Sequence, residues 1–254
     1  MKNEFVLVNF NTYYPCTSAS LYEKIRVVAD EIKNKYPDYK YLSGIVINEF
    51  VGGKDGKYIS ALEETFEYKY NVIPADIDYM VHKKTLLTVI MIRKDIMYEV
   101  VPIKSCLPNR VVCVKMFFPG KNKPLILVGI YGVQTQVFAE YATKSYMMNR
   151  FALKEEFYSG IIKAVESFKD EPCMIMGDAQ EASDGPHLEI LKLKYGFYEK
   201  NPGFPTTINS EFSENAIDHA MLNEQDEYRL VATGIDTGLI GTVGDHAMLT
   251  ASIA

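Results

Sequence analysis

The sequence predicts an α/β fold, a four-layer α/β/β/α sandwich in which two mostly antiparallel sheets pack together between outer helices. Apolar runs of strand length recur along the chain, and a tight turn joins two of them as a hairpin. Two long segments have apolar side chains at helical spacing, and each follows a predicted strand. The chain has no internal repeat, low-complexity tract or linker-like change in composition. One domain spanning residues 1–254 is therefore the simplest organisation.

The composition is that of a folded protein, because 48% of the residues are hydrophobic and 24% are charged. The longest apolar runs, such as LLTVIMI at 86–92, have the length of a strand and are too short to cross a bilayer. Four scattered cysteines without a C-x-x-C pair argue against a zinc cluster and are typical of reduced thiols. The N-terminal segment lacks the long apolar core of a signal peptide. We therefore expect a cytoplasmic monomer without a membrane span.

One helix separates the first two predicted strands. FVLVNF (5–10) and SGIVINEF (43–50) are short apolar runs typical of buried strands. Between them, residues 21–36 place apolar side chains on one face of a helix and charged side chains on the opposite face. A serine just before this segment is a suitable cap, and Pro37 ends the helix.

The remaining apolar runs predict strands at LLTVIMIRK (86–94), VVCVKMFF (111–118), PLILVGIYG (124–132) and CMIMGD (173–178), and near 216–222 and 246–253. PGKNKP (119–124) is the predicted hairpin turn. A second long helix is predicted around 143–169, because apolar residues recur there at helical spacing. It ends before Pro172.

Polar side chains recur at or near the ends of these apolar strands. The set comprises Asn9, Asn11, Glu49, Tyr131, Gln134, Asp178, Gln180, Asp218, Asp245 and His246. Taken singly, an Asn or Asp at a strand end is more often a turn or capping residue. Asn9 and Asn11, however, share one face of their strand, and Asp178 and Gln180 repeat that spacing. Strand ends that open onto one end of a sandwich therefore predict a single polar site.

Six short segments in a fixed order carry a resemblance that runs from residue 5 to about 252. They are VNFN, INEF, GIYGVQ, MGDAQ, AIDHAM and GDHAML. Each segment alone is a weak signal, but in this order they resemble the endonuclease/exonuclease/phosphatase superfamily. That superfamily includes exonuclease III-like and pancreatic-deoxyribonuclease-like nucleases. The resemblance implies hydrolysis of phosphate esters with the help of Mg²⁺ or Mn²⁺.

The resemblance also implies a set of metal-binding residues. Glu49 matches the superfamily's metal-binding glutamate, and its carboxylate is a hard oxygen ligand suited to Mg²⁺ or Mn²⁺. Asn9 and Asn11 match the first-strand pair near the metal. Asp245 matches the acid of the last motif.

A second group of residues matches the superfamily's catalytic positions. Asp178 matches the aspartate that orients or deprotonates the attacking water, and Gln180 lies where the superfamily usually has Asn. His246 matches the histidine that faces the phosphate, with Asp218 as its hydrogen-bond partner. Tyr131 fills a position directed at the phosphate. The catalytic aspartates are expected to be anionic at neutral pH, since a free Asp titrates near ~3.9.

Three further residues, His219, Gln134 and Arg150, are considered for a functional role. His219 follows Asp218 and faces the other way if the segment is a strand, so Asp218 is preferred as the functional residue. Gln134 and Arg150 are predicted to contact the substrate. For Arg150, on the second long helix, a solvated helix face is the alternative.

Two departures from the superfamily pattern leave other functions open. Gly-Asp-Ala-Gln replaces the usual Gly-Asp-x-Asn, and Ile-Asn-Glu replaces the common Gln-Glu. An inactive member that acts as a binding module is therefore one alternative. An abasic-site endonuclease is disfavoured, because the Trp-bearing motif of those enzymes reads NAIDHAM here.

The net charge of −6 bears on the substrate. Proteins that hold nucleic acid by neutralising its phosphates are usually basic, so a passive DNA-binding module is disfavoured. A bound divalent metal supplies positive charge locally, so a metal-dependent phosphoesterase is compatible with an acidic chain. The leading prediction is a nuclease that cleaves DNA or RNA. The alternative is a phosphatase or phosphodiesterase on a small or lipid-linked phosphate ester.

Overall fold

The structure is a computed structural model, and it describes residues 5–12, 20–39, 41–53, 56–76, 86–135, 144–200, 206–207, 216–223, 225, 227–240 and 242–254. These residues form two mixed six-stranded sheets and four α-helices. None of the described helices is long and apolar enough to span a membrane.

The strands and helices are numbered in chain order. The first sheet contains β1 (Phe5–Asn11), β2 (Leu42–Val51), β3 (Tyr70–Pro74), β4 (Leu86–Arg93), β11 (Leu230–Asp236) and β12 (Met248–Ile253). The second contains β5 (Met97–Val100), β6 (Val111–Phe117), β7 (Leu125–Tyr131), β8 (Cys173–Asp178), β9 (Phe197–Tyr198) and β10 (Asp218–Asn223). The helices are α1 (Leu21–Lys35), α2 (Lys57–Thr65), α3 (Lys144–Ser167) and α4 (Pro186–Tyr195). The strand orders are β11-β12-β1-β2-β4-β3 and β5-β6-β7-β8-β10-β9.

Three apolar layers hold these elements together. The central layer joins the inner faces of the two sheets, with side chains such as Leu7 and Met176. A second layer packs α1 and α2 on the outer face of the first sheet, where Ile25 is buried. A third packs α3 and α4 on the outer face of the second sheet, where Phe157 and Leu188 are buried. The order of layers is helix, sheet, sheet, helix, which confirms the predicted sandwich.

The first helix begins and ends where the sequence predicts. Ser20 Oγ accepts from the backbone N–H of Glu23 at 3.3 Å, and the Glu23 carboxylate accepts from the Ser20 N–H at 2.6 Å. This reciprocal cap satisfies two N–H groups that the helix leaves without partners, a contribution of about 1 kcal/mol. The helix ends at Lys35, two residues before Pro37.

The topology brings several strand ends to one edge of the sandwich. β1 runs parallel to β2, and β7 runs parallel to β8, so the carboxyl ends of these four strands lie together. β12 is antiparallel to β1, and β10 is antiparallel to β8, so both begin at that same end. Asp218, the first residue of β10, pairs directly with Asp178, the last residue of β8. The fold therefore collects the polar strand ends that the sequence predicts to form one site.

The sequence-based prediction missed several short elements. β5 is exposed along its whole length and most of β11 is at least partly exposed, so neither has the apolar alternation of a strand that covers a core. β3 and β9 were also missed. Two long helices were predicted, and α2 and α4, of 9 and 10 residues, are additional.

Candidate active site

The inner faces of the strands supply the polar side chains at this end of the sandwich. Along β8, Met174 and Met176 point into the central apolar layer, so Asp178 points the same way. In β1, Asn9 and Asn11 share the inner face with Leu7. Alternation therefore directs these polar groups into the space between the sheets, beyond the last apolar contacts.

Glu49 reaches the site through an irregularity in β2. The pairing of β2 with β4 shifts register between Ile47 and Phe50, and Glu49 has a φ of 53°. A non-glycine residue in this left-handed region is uncommon and strained, and such strain is concentrated at functional sites. Here the shift turns the Glu49 carboxylate towards Asn11, whose Nδ2 donates to Glu49 Oε1 at 3.0 Å.

Asn11 lies where three ionisable groups converge. Its Nδ2 is 3.1 Å from Asp178 Oδ2, in addition to the contact with Glu49, and 3.4 Å from His246 Nε2. The nearest ligand atoms of Glu49, Asp178 and His246 all lie within 4.8 Å of one another. All four side chains are buried. Two carboxylates and an imidazole therefore face one small volume.

Both carboxylate oxygens of Asp178 are held by Gln180. The Gln180 backbone N–H donates to Oδ1 at 3.0 Å, and its side-chain Nε2 donates to Oδ2 at 2.7 Å. Gln180 achieves this in the left-handed region, with a φ of 52°. Burial, together with the nearby Asp218 carboxylate, raises the pKa of Asp178 to about 7, although His246 opposes the shift. The pKa thus lies above that of a free Asp, because Asp178 is completely buried, which the sequence does not reveal.

His246 is fixed through its other ring nitrogen. Its Nδ1 lies 2.8 Å from Asp218 Oδ2, while Nε2 faces Asp178 Oδ2 at 3.9 Å and Asp245 Oδ1 at 3.8 Å. Burial disfavours the imidazolium, but Asp218 outweighs it and raises the pKa of His246 to about 10. The backbone N–H of Asp218 donates in turn to Thr206 Oγ1 at 3.1 Å. A protonated imidazole is thus directed into the site.

Tyr131 and Arg110 border the Glu49 side of the site. The Tyr131 hydroxyl lies on the Glu49 side of the site and opposes the rise that burial causes in the pKa of the Glu49 carboxyl, and the Arg110 guanidinium lies 4.0 Å from the centre of the Tyr131 ring. Arg110 also donates to the carbonyl of Gly132. Burial raises the pKa of Tyr131 and keeps its hydroxyl protonated. Burial also raises the pKa of Glu49, against the opposing effect of Asn11.

The cluster fits a small divalent cation. Glu49 and Asp178 offer carboxylate oxygens, which are the ligands that Mg²⁺ and Mn²⁺ prefer. Oδ1 of Asp245 is buried and has no hydrogen-bond partner among the described residues. A buried carboxylate oxygen without a partner is costly unless another group neutralises it. A metal ion bound at the Glu49 and Asp178 carboxylates would bring positive charge to this region, where the Asp245 charge already acts on Glu49.

Asn9 belongs to a layer behind this cluster. Its Nδ2 donates to Asn48 Oδ1 at 2.7 Å and to the Val46 carbonyl at 3.2 Å. Asn48 also accepts from the Asp178 backbone N–H at 3.1 Å and donates across the sandwich to the Ile130 carbonyl at 2.8 Å. Asn48 therefore ties β8 and β7 to β2. The sequence does not predict this role of Asn48, although Asn48 is part of the Ile-Asn-Glu segment that departs from the superfamily pattern.

Glycine is required where β7 and β8 leave the sheet. A Cβ on Gly177, at φ 143°, would lie 2.1 Å from the Ile130 carbonyl oxygen. A Cβ on Gly132 would lie 2.0 Å from the Ala179 carbonyl oxygen. The Gly-Asp pair thus lets the Asp178 loop approach the end of β7.

Gln134 and Arg150 lie together. Arg150 Nη1 donates to the Gln134 carbonyl at 2.9 Å, and the Gln134 side chain is exposed. Their predicted contact with substrate stays a prediction.

Comparisons with known proteins support the fold. No model of a known protein family matches the chain, and no curated protein sequence matches it. Solved structures do match over almost the whole length of both chains. TDP2 from D. rerio, complexed with a single-strand DNA product, has a TM-score of 0.64 at 13% identity, with 99% of each chain covered.

Two further structures give the same result. The human Nocturnin catalytic domain with bound sulfate has a TM-score of 0.65 at 9% identity, covering 100% of this chain and 95% of that one. An endonuclease/exonuclease/phosphatase from Bacteroides vulgatus has a TM-score of 0.65 at 17% identity, covering 99% and 98%. The protein therefore has the endonuclease/exonuclease/phosphatase fold.

Proposed function

We propose that this protein is a divalent-metal-dependent phosphodiester hydrolase, and that nucleic acid is its substrate. The observation that carries the proposal is the convergence of Glu49, Asp178 and His246 on Asn11, at the end of the sandwich where strand ends meet. A bound Mg²⁺ or Mn²⁺ supplies positive charge to the phosphate and to the leaving oxygen. The residues that would hold it are Glu49 and Asp245, with Asn11 beside them.

Asp178 is the proposed base for the attacking water. Gln180 fixes both of its oxygens, so the carboxylate enters the reaction in one orientation. A pKa of about 7 suits a group that takes a proton at neutral pH and returns it. Its base role requires the ionised form, so activity is expected to fall as pH drops and the carboxylate becomes protonated.

His246 is the proposed donor to a non-bridging phosphate oxygen. Asp218 holds its Nδ1 and keeps the ring charged, so Nε2–H is available on the side that faces Asp178. A fixed donor aimed at charge that grows in the transition state stabilises that state without reorganisation. The Asn11 amide is a second donor at the same place. Tyr131, whose hydroxyl lies on the Glu49 side of the site, is the proposed third donor.

Nucleic acid is proposed as substrate on two grounds. The fold is shared with a TDP2 that was solved with a single-strand DNA product. The chain has no Trp, but bases also stack on tyrosine, and some of its 18 tyrosines, such as Tyr41 and Tyr68, are exposed. Gln134 and Arg150 are the proposed contacts to the strand. The net charge of −6 favours a second candidate, a small phosphate ester that the metal site alone can hold.

Nicking of supercoiled plasmid tests the proposal. The wild-type protein with Mg²⁺ or Mn²⁺ is expected to nick the plasmid, and Asp178→Ala is expected to lower the rate by about 10³-fold or more. Tyr70→Phe, a buried change on the far face of the first sheet, is the matched control and is expected to retain activity.

Two other results would replace the proposal. Turnover of a small phosphodiester or inositol phosphate, with the plasmid left intact, would support the second candidate. An inactive binding module is the conclusion if no phosphate ester is hydrolysed with Mg²⁺, Mn²⁺ or Ca²⁺, and if Glu49→Ala leaves any metal-dependent rise in Tm unchanged.

A further inference from the structure

The loop that follows Asp178 is held from behind by three side chains on other elements. Its successive carbonyls, those of Ala179, Gln180 and Glu181, each accept a hydrogen bond from a buried donor. The three donors and their distances are Tyr158 Oη to Ala179 O at 2.5 Å, Lys154 Nζ to Gln180 O at 2.9 Å and His219 Nε2 to Glu181 O at 2.8 Å. Two donors come from α3 and one from β10.

Tyr158 acts on a particular peptide unit. Its hydroxyl donates to the carbonyl of Ala179, and the N–H of that same peptide unit, which belongs to Gln180, donates to Asp178 Oδ1 at 3.0 Å. Hydrogen bonds in such a chain polarise one another, most strongly where water is excluded. Tyr158 is fully buried, and its ring stacks on His187 at 4.4 Å. The hydroxyl therefore fixes the peptide that orients the proposed base.

Lys154 and His219 carry positive charge to the adjacent carbonyls. Lys154 also pairs with the Glu181 carboxylate at 3.0 Å. His219 has Glu199 Oε2 at 2.9 Å from Nδ1 and the Glu181 carbonyl at 2.8 Å from Nε2. Both of these partners only accept, so both ring nitrogens donate and the imidazole is charged. Both cations are buried, and both donate to carbonyls of this loop.

The backbone conformation at Gln180 explains why such support is needed. Gln180 has a φ of 52°, which costs on the order of 1 kcal/mol or more for a non-glycine residue. In this conformation its N–H and its side-chain amide both reach Asp178. A strained backbone conformation persists when the surrounding contacts hold it in place. Here three consecutive carbonyls are held by hydrogen bonds.

We propose that Tyr158, Lys154 and His219 are positioning residues, which hold the backbone of residues 179–181 so that Gln180 presents Asp178 to the attacking water. The catalytic part of this inference rests on the proposed function. The positioning residues touch neither substrate nor metal. They act through Gln180, and their removal lowers turnover without changing substrate affinity.

Tyr158→Phe tests the inference, with Tyr70→Phe as its matched control. Both changes remove one buried hydroxyl that donates to a backbone carbonyl, because Tyr70 Oη donates to Leu42 O at 3.2 Å. Both are expected to lower Tm by a similar amount, about 2–4 °C. Only Tyr158→Phe is expected to lower kcat, by about 10-fold to 100-fold with KM unchanged.

Lys154 offers a second variant with a conservative rescue. Lys154→Met removes the donor to the Gln180 carbonyl, and Lys154→Arg restores a cation that donates. We expect Lys154→Met to lower kcat by about 10-fold and Lys154→Arg to recover most of it.

Amide hydrogen exchange of residues 179–182 provides a measurement that needs no activity. Exchange is expected to be about 10-fold faster in Tyr158→Phe and Lys154→Met than in wild type, Tyr70→Phe or Lys154→Arg. Faster exchange with no turnover of any phosphate ester by wild type would support the loop contacts and reject the proposed function. Exchange and kcat in Tyr158→Phe and Lys154→Met that match Tyr70→Phe would overturn the inference. So would a fall in kcat without any change in exchange.

Discussion

Two neighbouring residues of β10 form nearly identical histidine–carboxylate pairs on opposite faces of one sheet. Asp218, on the inner face, lies 2.8 Å from His246 Nδ1, whereas His219, on the outer face, holds Glu199 at 2.9 Å through its own Nδ1. All four side chains are largely buried. Strand alternation alone separates them, as the sequence predicts for Asp218 and His219.

The difference lies in the second ring nitrogen. Nε2 of His219 is occupied by the Glu181 carbonyl at 2.8 Å. Nε2 of His246 has no carboxylate oxygen closer than 3.8 Å among the described residues. The same pair of residue types therefore makes a structural ion pair on one face and a donor with spare capacity on the other. The environment of the second ring nitrogen, rather than the histidine–carboxylate pair itself, therefore distinguishes His246 from His219.

Replacing each histidine by glutamine is expected to give the largest difference in kcat between the two pairs. His246→Gln removes the proposed charged donor to the phosphate, so kcat is expected to fall by about 10²-fold to 10⁴-fold, and Tm is expected to fall as well because Asp218 loses its buried partner. His219→Gln is expected to lower kcat by only about 10-fold, but to lower Tm clearly, since Glu199 loses its buried partner. Parallel kinetics and thermal unfolding of both variants check this. Equal losses of kcat would remove the distinction.

The pH dependence of stability sharpens the structural side of the comparison. Burial alone would raise the pKa of Glu199, but His219 and Lys192 outweigh it and lower the pKa to about 2. That stabilisation is complete above the unfolded pKa of about 4.3 and is lost as pH falls towards 2. Burial opposes protonation of His219, yet Glu199 raises its pKa above 6.5. The stabilisation from protonated His219 is complete below pH 6.5 and is lost as pH rises through the raised pKa of His219.

Glu199→Gln is therefore expected to be less stable than wild type by about 3 kcal/mol near pH 5.5, with the difference shrinking towards pH 2.5. Chemical unfolding across this pH range is the measurement. Glu67→Gln, which breaks an exposed pair with Lys33, is the control and is expected to change little. A stability difference for Glu199→Gln that is the same at pH 2.5 and 5.5 would contradict the assignment.

The sequence predicted the residues at the site better than the contacts that support them. Asp178, Glu49 and His246 end or precede apolar strands, so their pattern and order are visible along the chain. Asn48 contacts Asp178 across 130 residues of sequence, and no local pattern reveals such a pair. Tyr158 reads as one more core aromatic on a helix. Its proposed positioning role depends on a single hydroxyl contact.

The burial of a charged side chain is difficult to predict from the sequence for a related physical reason. Lys154 on a helix reads as a solvated side chain, because a lysine is almost never fully buried unless it is paired. Here it is buried against the Glu181 carboxylate and the Gln180 carbonyl. Neither partner is identifiable before the loop conformation is known. Most strands could be predicted from the sequence, whereas the long-range polar contacts could be identified only in the structure.

Gln180→Asn is expected to have the smallest effect and tests what the longer side chain contributes. Asparagine tolerates the left-handed φ of 52° at least as well as glutamine, so the backbone N–H contact to Asp178 Oδ1 is retained. The shorter amide must re-aim to reach Asp178 Oδ2, now 2.7 Å from Nε2. Activity on the preferred phosphate ester is therefore expected to stay within about 10-fold of wild type. A loss beyond about 100-fold would contradict this expectation and would mean that the backbone contact alone is insufficient to orient the base without the glutamine amide on Asp178 Oδ2.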